Sequence, residues 1–233
     1  MKTTKFIFSV SLFCLWTLAA LSAQNCTAYF PFEKGAMLEY TNYDDKGKVQ
    51  SSMTQKVLIL DDDEKEGLTA QIESKIMDKN GKESMRNSYH ITCKNDTLFM
   101  DLTAQMPQLT EAFSTMEVTI TGDQLLLPPK LSVGQTLPDA NMQIQAGTGG
   151  MNLMKMTVAV TDRKVEAKES VTTSAGTYDC YKISHTTNTK MLVGKSFKTI
   201  TWYADKVGMV KTETYDKKGK LESSMQLTKF SKE

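Results

Sequence analysis

The sequence is poor in the residue types on which most catalytic and metal sites depend. Its 233 residues include two histidines, four cysteines and five prolines. No Cys-x-x-Cys pair occurs, which removes the commonest framework for zinc. No Gly-x-Ser-x-Gly segment occurs, which removes the usual signature of a serine hydrolase. His90 and His185 lie in strand-like stretches with no nucleophile motif nearby, so we expect no catalytic residue, no metal and no cofactor.

An excess of one charge is also missing. Lysine and arginine number 28 against 27 aspartates and glutamates, and they alternate with other residues as on a solvated sheet face. The sequence shows no basic stripe, so nucleic acid is not an expected partner. The acidic run Asp61–Glu64 lacks the glycine and closing glutamate of a calcium loop, and we interpret it as a charged hairpin turn.

Long apolar runs are absent except at the N-terminus. Lys2 and Lys5 precede an apolar run from Phe6 to Leu21, and small residues end at Ala23. This order predicts a signal peptide over residues 1–23, because a transmembrane helix needs about 20 apolar residues. We therefore expect an exported product, in the periplasm, outside the cell or at the cell surface, with no transmembrane segment after signal removal.

Three cysteines follow the predicted cleavage site: Cys26, Cys93 and Cys180. Cys26 is not directly after the small residues, so we expect no lipid attachment. In an oxidising compartment an odd count allows one disulfide or none. Cys26 and Cys93 lie at the edges of predicted strands, whereas Cys180 lies inside one. We predict a Cys26–Cys93 disulfide and a free Cys180.

One motif is repeated near the two ends of the chain. The segment from Tyr43 to Met53 (YDDKGKVQSSM) is echoed from Tyr215 to Met225 (YDKKGKLESSM), and a shorter version begins at Asp78. An Asp that binds backbone amides, followed by a Gly in the left-handed region, is typical of a hairpin turn. A ligand-binding role for the recurring Asp and Lys is the alternative. The repeat predicts that both ends belong to one sheet system, with Phe32 to Tyr40 in the first strand and Trp202 packed near it.

The rest of the chain predicts an all-β protein. Alternating segments rich in Thr, Val, Ile and Tyr recur from residue 53 to residue 230, and these residues favour strands. The exception is 102–116, where apolar residues at spacings of three and four predict one short helix. We expect a signal peptide over 1–23 and a single antiparallel β domain over 24–233, as a curved sheet or half-barrel.

Methionine is enriched around a glycine-rich stretch, at Met142, Met151, Met154 and Met156. Thioethers fill cores, line adaptable apolar grooves and can hold Cu(I). We rank core packing first and an apolar ligand-binding surface second, and name these four as the candidate ligand-binding residues.

Several phrases resemble one known family. The opening FPFEKGAMLEY, the central LSVGQTLPDA, and the later AGTYDCYKI and TWYADKVGMV occur in the order seen in TapB-like exported proteins of the DUF3108-like group. The resemblance implies export by a Gram-negative bacterium and a sheet similar to the folds of periplasmic lipoprotein carriers. Those carriers hold acyl chains on a concave face, but fold alone does not fix function.

We therefore expect an uncharacterised exported, non-enzymatic binding module for an apolar ligand, a lipid or an envelope protein. The alternative is a structural or interaction protein of the cell envelope with a filled core and no ligand. A roomy apolar cavity would favour the first, and a packed interior the second.

Overall fold

The structure is a computed structural model that describes residues 29–101, 116–149, 151–191 and 193–232. Every regular element in those ranges is a β-strand. The thirteen strands are β1 Met37–Asp44, β2 Val49–Asp63, β3 Gly67–Asp78, β4 Glu83–Lys94, β5 Thr97–Asp101, β6 Glu117–Gly122, β7 Gln124–Leu127, β8 Ala140–Thr148, β9 Met151–Thr173, β10 Gly176–Lys190, β11 Gly194–Ala204, β12 Gly208–Tyr215 and β13 Leu221–Ser231.

All these strands belong to one antiparallel sheet with the order β6-β8-β9-β10-β11-β12-β13-β1-β2-β3-β4-β5-β7. The first and last strands pair in the middle of this order, with Met37 opposite Ser231. The prediction that the chain ends share one sheet system is thus confirmed. The predicted helix falls almost wholly on residues outside the described ranges, as does the predicted signal peptide. The bounds of the single domain, 24–233, remain a prediction.

The antiparallel order gives the sheet two ends, which we call upper and lower. The upper end carries the connections β1–β2, β3–β4, β8–β9, β10–β11 and β12–β13, and the lower end carries β2–β3, β4–β5, β9–β10 and β11–β12. Residues near the start of β2 and the end of β12 are therefore close to the upper end. This division locates the site described below.

Three of the upper turns are built alike. Asp44 Oδ1 accepts hydrogen bonds from the amides of Lys46 and Lys48 at 2.9 and 2.8 Å. Asp78 and Asp216 accept the equivalent pairs of amide bonds, and the glycines of the three turns have φ of 75°, 78° and 79°. The predicted hairpin function of the repeated motif is confirmed, because the same local chemistry gives the same turn three times.

The sheet curls until its two edges approach each other, giving a nearly closed, barrel-like shape. Arg163 of β9 is 3% exposed. Its guanidinium donates to the carbonyl oxygens of Pro138 and of Leu126, at 2.7 and 3.0 Å. Leu126 belongs to the edge strand β7, while β9 lies two strands from the opposite edge. The structure is therefore more closed than the predicted half-barrel.

The buried apolar side chains of the described residues form two clusters. The larger joins β2–β5 and β7–β10, and includes Val57, Ile72 and Leu98. The smaller includes Leu38, Cys180 and Trp202. Trp202 Nε1 donates to Glu169 Oε1 at 2.7 Å. The predicted burial of Trp202 is confirmed. Trp202 shares its apolar cluster with Leu38 and Tyr40 of β1, although β11 lies three strands from β1 in the sheet. Phe32 precedes β1 instead of lying in it.

Within the described part of the chain, no helix is long and apolar enough to cross a membrane.

Candidate functional site

A cavity of about 450 Å³ runs inside the curled sheet. Its walls come from eleven of the strands together with the segment that precedes β1. Ligand pockets for small molecules occupy about 300–1,000 Å³. The cavity is therefore large enough for a small ligand, and the interior is not filled throughout by side chains.

The upper part of the cavity is lined by hydroxyl and amide side chains. They come from adjacent strands, because Thr199 pairs with Thr214, Thr214 pairs with Ser223, and Asn42 pairs with Ser51. Side chains opposite one another in a sheet point to the same face. These residues are only half-buried, which marks the upper end as the open mouth. The polar lining comprises Asn42, Ser51, Gln55, His185, Thr187, Thr199, Thr201, Thr212, Thr214, Ser223 and Ser224. Of these, Gln55 lies deeper, because it is opposite Leu38 near the lower start of β1.

The lower part of the cavity is apolar and closed. Tyr29 and Phe30, which precede β1, are 5% and 6% exposed and lie across the floor. Tyr29 contacts the Tyr181 ring edge-on, with centroids 6.2 Å apart. Gly208 has φ of +100°, and a Cβ on it would lie 3.1 Å from the carbonyl oxygen of Tyr29. Glycine at this position therefore lets the segment before β1 pass close to β12. The other apolar lining residues are Tyr40, Met53, Ile76, Tyr89, Ile91, Met100, Leu125, Val160, Tyr203, Val207, Met209 and Met225.

The cavity lining is uncharged at neutral pH. The described lining residues include no aspartate, glutamate, lysine or arginine. Burial, together with the nearby Arg163, lowers the pKa of His185 to about 4, so its imidazole is neutral. Burial raises the pKa of Tyr40 and of Tyr203, which keeps both phenols protonated. The Tyr40 hydroxyl donates to the carbonyl oxygen of Met209 at 3.1 Å.

This arrangement can bind a molecule with two unlike parts. Hydroxyls and amides near the mouth can donate and accept hydrogen bonds, while rings and thioethers below offer apolar contact. A charged group buried there would lack a counter-ion among the described lining residues, and such burial is costly. In the described ranges no group of three or more His, Cys, Asp or Glu side chains is placed to hold a metal ion.

The four methionines named from the sequence lie elsewhere. Met142 is buried in β8, Met154 and Met156 pack against the larger core from β9, and Met151 is 65% exposed. None of them lines the cavity. Their ligand-binding role stays a prediction, and three of them occupy core positions, as the first-ranked interpretation holds.

Four other methionines line the cavity, and the repeated motif could have identified two of them. Met53 and Met225 end the two copies of the motif, and the serines before them, at 51 and at 223 and 224, also face the cavity. The Ser-Ser-Met phrase follows each turn into a strand whose inner face forms the mouth. Met100 and Met209 carry no comparable sequence signal.

The structure separates the cysteines into two kinds. Cys180 is free and fully buried, as predicted, and burial raises the pKa of its thiol to about 11. Cys93, also fully buried, is disulfide-bonded. The predicted partner, Cys26, lies outside the described residues, so the Cys26–Cys93 pairing stays a prediction. The acidic run ends in a turn, where Asp63 Oδ1 accepts the amides of Lys65 and Glu66 at 2.8 and 2.9 Å.

Fold and cavity together define an all-β protein with a barrel-like sheet and an internal, uncharged, amphipathic cavity. Two solved structures share this fold. A presumed exported protein with a YmcC-like fold from Bacteroides fragilis is 21% identical, with a TM-score of 0.72. A presumed lipoprotein from Parabacteroides distasonis is 25% identical, with a TM-score of 0.74. Each comparison covers 89% of this chain and all of the other.

The chain belongs to the DUF3108-like family, whose sequence profile matches residues 33–227. The family resemblance seen in the sequence is thereby confirmed at this level, and the narrower TapB-like resemblance stays a prediction. No curated protein matches the sequence.

Proposed function

We propose that this protein is a non-enzymatic binding protein, exported from the cytoplasm, that holds a small uncharged amphipathic molecule in the barrel cavity. The observation that carries the proposal is the cavity itself, about 450 Å³ in volume, polar at its mouth and apolar at its floor. A purely structural protein has no need of such a space, because protein interiors are otherwise close-packed.

The polarity gradient orients the ligand. The apolar part lies toward Tyr29 and Phe30, where exclusion from water is greatest. The hydroxyl- or amide-bearing part lies between Asn42, Thr199 and Thr214, within reach of the half-buried mouth. An uncharged lipid fragment or another neutral molecule with a polar head fits this description.

Export is supported by two lines of argument. The order of charge, apolar run and small residues over residues 1–23 is that of a signal peptide. The two structural neighbours are described as an exported protein and a lipoprotein. An envelope protein could bind the outer surface of the barrel at the same time as a ligand occupies the cavity.

A fill-in substitution tests the cavity directly. Thr199 faces the cavity from β11, and Lys198, its neighbour, is exposed on the opposite face of the same strand. Thr199→Trp should occupy the mouth, whereas Lys198→Trp adds the same ring outside. With the uncharged apolar dye N-phenyl-1-naphthylamine as the probe, we expect the wild type and Lys198→Trp to bind alike and Thr199→Trp to bind at least about tenfold more weakly.

Native mass spectrometry can detect the natural ligand. Protein purified from its own host should carry an additional mass that is reduced or lost in Thr199→Trp and retained in Lys198→Trp. Equal dye affinity in all three proteins, with no retained mass in any, would contradict the binding proposal and favour a structural role in the envelope.

A further inference from the structure

Among the described residues, four of the nine exposed large apolar side chains lie on two neighbouring hairpins at the upper end. Val193 is 77% exposed, Met151 65%, Leu153 60% and Met191 44%. They belong to the adjacent β8–β9 and β10–β11 hairpins, which are neighbours because β9 pairs with both β8 and β10. Hairpin tips that hold apolar side chains in water mark a contact surface.

Both hairpins extend beyond the β12–β13 turn, and the β8–β9 hairpin extends furthest, because Lys190 at the end of β10 lies opposite Thr157, six residues from Met151. The β10–β11 ladder continues to Lys190 opposite Gly194, whereas β12 ends at Tyr215, opposite Lys198. The apolar side chains are therefore the foremost part of the upper end on this side of the barrel. We call Met151, Leu153, Met191 and Val193 the apolar tips.

Lysines flank the apolar tips on the side of β9 to β12, while Glu117 lies on the other side of the β8–β9 hairpin, opposite Gly147. The β10–β11 turn reads KMLVGK from Lys190 to Lys195, and Lys217 from the next upper turn shares a shallow groove with both lysines. Lys155, two residues beyond Leu153, is also exposed. Apolar side chains flanked by lysine are suited to the headgroup region of an anionic bilayer, where the lysines meet lipid phosphates.

Charged residues in the turns are also distributed unequally between the two ends of the sheet. In the upper turns at 44–48, 78–82 and 216–220, seven lysines stand against four aspartates. In the lower turns at 64–66, 95–96 and 205–207, four acidic residues stand against two lysines. The near-neutral sequence thus folds into a protein with a basic upper end and an acidic lower end. The basic end would repel the same end of a second copy, which disfavours a symmetric dimer through the tips.

We propose that the upper end docks on an anionic lipid bilayer, with the apolar tips in the headgroup region and the flanking lysines on lipid phosphates. The docking does not require a ligand in the cavity. If the proposed function also holds, docking places the mouth of the cavity against the membrane, so that a ligand can pass between the bilayer and the barrel without crossing bulk water.

Vesicle flotation of the mature chain tests the proposal. Wild-type protein should float with vesicles of equal parts phosphatidylglycerol and phosphatidylethanolamine, and bind pure phosphatidylcholine vesicles at least about tenfold more weakly. Met191→Ser with Val193→Ser should weaken binding to the anionic vesicles by about tenfold or more. Lys190→Gln with Lys195→Gln should weaken it and reduce its dependence on salt.

Matched controls keep the test specific. Ile59 and Val133 are 53% and 60% exposed and lie outside the upper turns, so Ile59→Ser with Val133→Ser should float like the wild type. Thr199→Trp should also float, which separates docking from cavity binding. Equal thermal melting of all variants shows that folding is retained.

Three results would overturn the docking proposal. The first is a wild type that floats with neither kind of vesicle. The second is equal loss of flotation in the tip variant and in the Ile59/Val133 control. The third is self-association in sedimentation that the tip substitutions abolish without any vesicle binding, which would assign the surface to a second copy of the chain.

Discussion

Arg163 in β9 donates a hydrogen bond to the carbonyl oxygen of Leu126 in β7, 3.0 Å away, and so joins strands near opposite edges of the sheet. Edges of a sheet carry unpaired backbone groups, and a buried guanidinium can satisfy two of them at once. The second acceptor, the Pro138 carbonyl oxygen, lies in the connection that leads into β8. Backbone hydrogen bonds also join residues 134–137 to Arg163 and Val165. The Arg163 side chain adds the bond that ties the edge strand β7 itself to β9.

Arg163→Met should lower the free energy of unfolding by about 3 kcal/mol, because both carbonyl oxygens lose a charged donor in a buried place. Urea unfolding followed by circular dichroism measures the change. Lys164→Met, an exposed neighbour, should stay within about 0.5 kcal/mol of the wild type. Equal effects of the two substitutions would contradict the closing role.

The neutral His185 makes stability depend on pH. The pKa is about 4 in the folded protein, against an ordinary value of 6.5. Between those values the unfolded chain binds a proton that the folded chain does not. The free energy of unfolding is therefore highest above about pH 6.5, and it falls by roughly 3 kcal/mol at most as the pH is lowered toward 4.

Unfolding of wild type and His185→Gln across this pH range isolates the effect. The difference between the two proteins should grow steadily from pH 4 to pH 6.5. His90→Gln, at an exposed histidine, should follow the wild-type profile. A His185→Gln profile parallel to that of the wild type would show that His185 is not the group responsible.

Two glycines with similar backbone angles should respond differently to alanine. Gly67 has φ of +93°, and a Cβ there would lie 2.3 Å from the carbonyl oxygen of Cys93. Gly81 has φ of +78° with no atom within 4 Å of that position. Gly81→Ala should cost about 1 kcal/mol for the backbone conformation alone. Gly67→Ala should lower the free energy of unfolding by at least about twice as much. Thermal melting of the two variants measures the difference, with the larger drop in melting temperature expected for Gly67→Ala.

The disulfide prediction can be tested without mutation. Peptide mapping of unreduced protein should give one bridged peptide that contains Cys26 and Cys93, and an unbridged one that contains Cys180. Cys26→Ser and Cys93→Ser should each lower the free energy of unfolding by a similar amount, roughly 4 kcal/mol from loop closure. A bridged peptide with Cys180 would overturn the pairing.

The sequence predicts local structure well, above all the hairpin turns. The Asp-x-x-Gly turns at Asp44, Asp78 and Asp216 have the expected hydrogen bonds, because the residues that form them lie within four positions of one another. The pairing of the two chain ends followed from the repeat of one motif. Closure through Arg163 did not, because its acceptors are 25 and 37 residues away and are backbone atoms without a sequence signature.

The residues that line the cavity are even harder to predict from the sequence. Its lining takes one to four residues from each of eleven strands, and alternation alone does not say which face of a strand meets an empty interior. Clustering along the chain favoured the methionines around Met154, which fill the core. Methionines such as Met53 and Met225 come together only because β1 pairs with both β2 and β13.

The place of β1 in the sheet also has a consequence for the newly made chain. Its neighbours are β2, made next, and β13, made last, and the Lys229–Glu39 ion pair spans 190 residues. Until β13 emerges, one side of β1 offers unpaired amides and carbonyls, and the wall of the barrel has a gap between β1 and β12. Pairings between such distant residues form slowly. A chain without β13 therefore cannot complete the sheet and stays incompletely folded. An incompletely folded chain is suited to passage across a membrane.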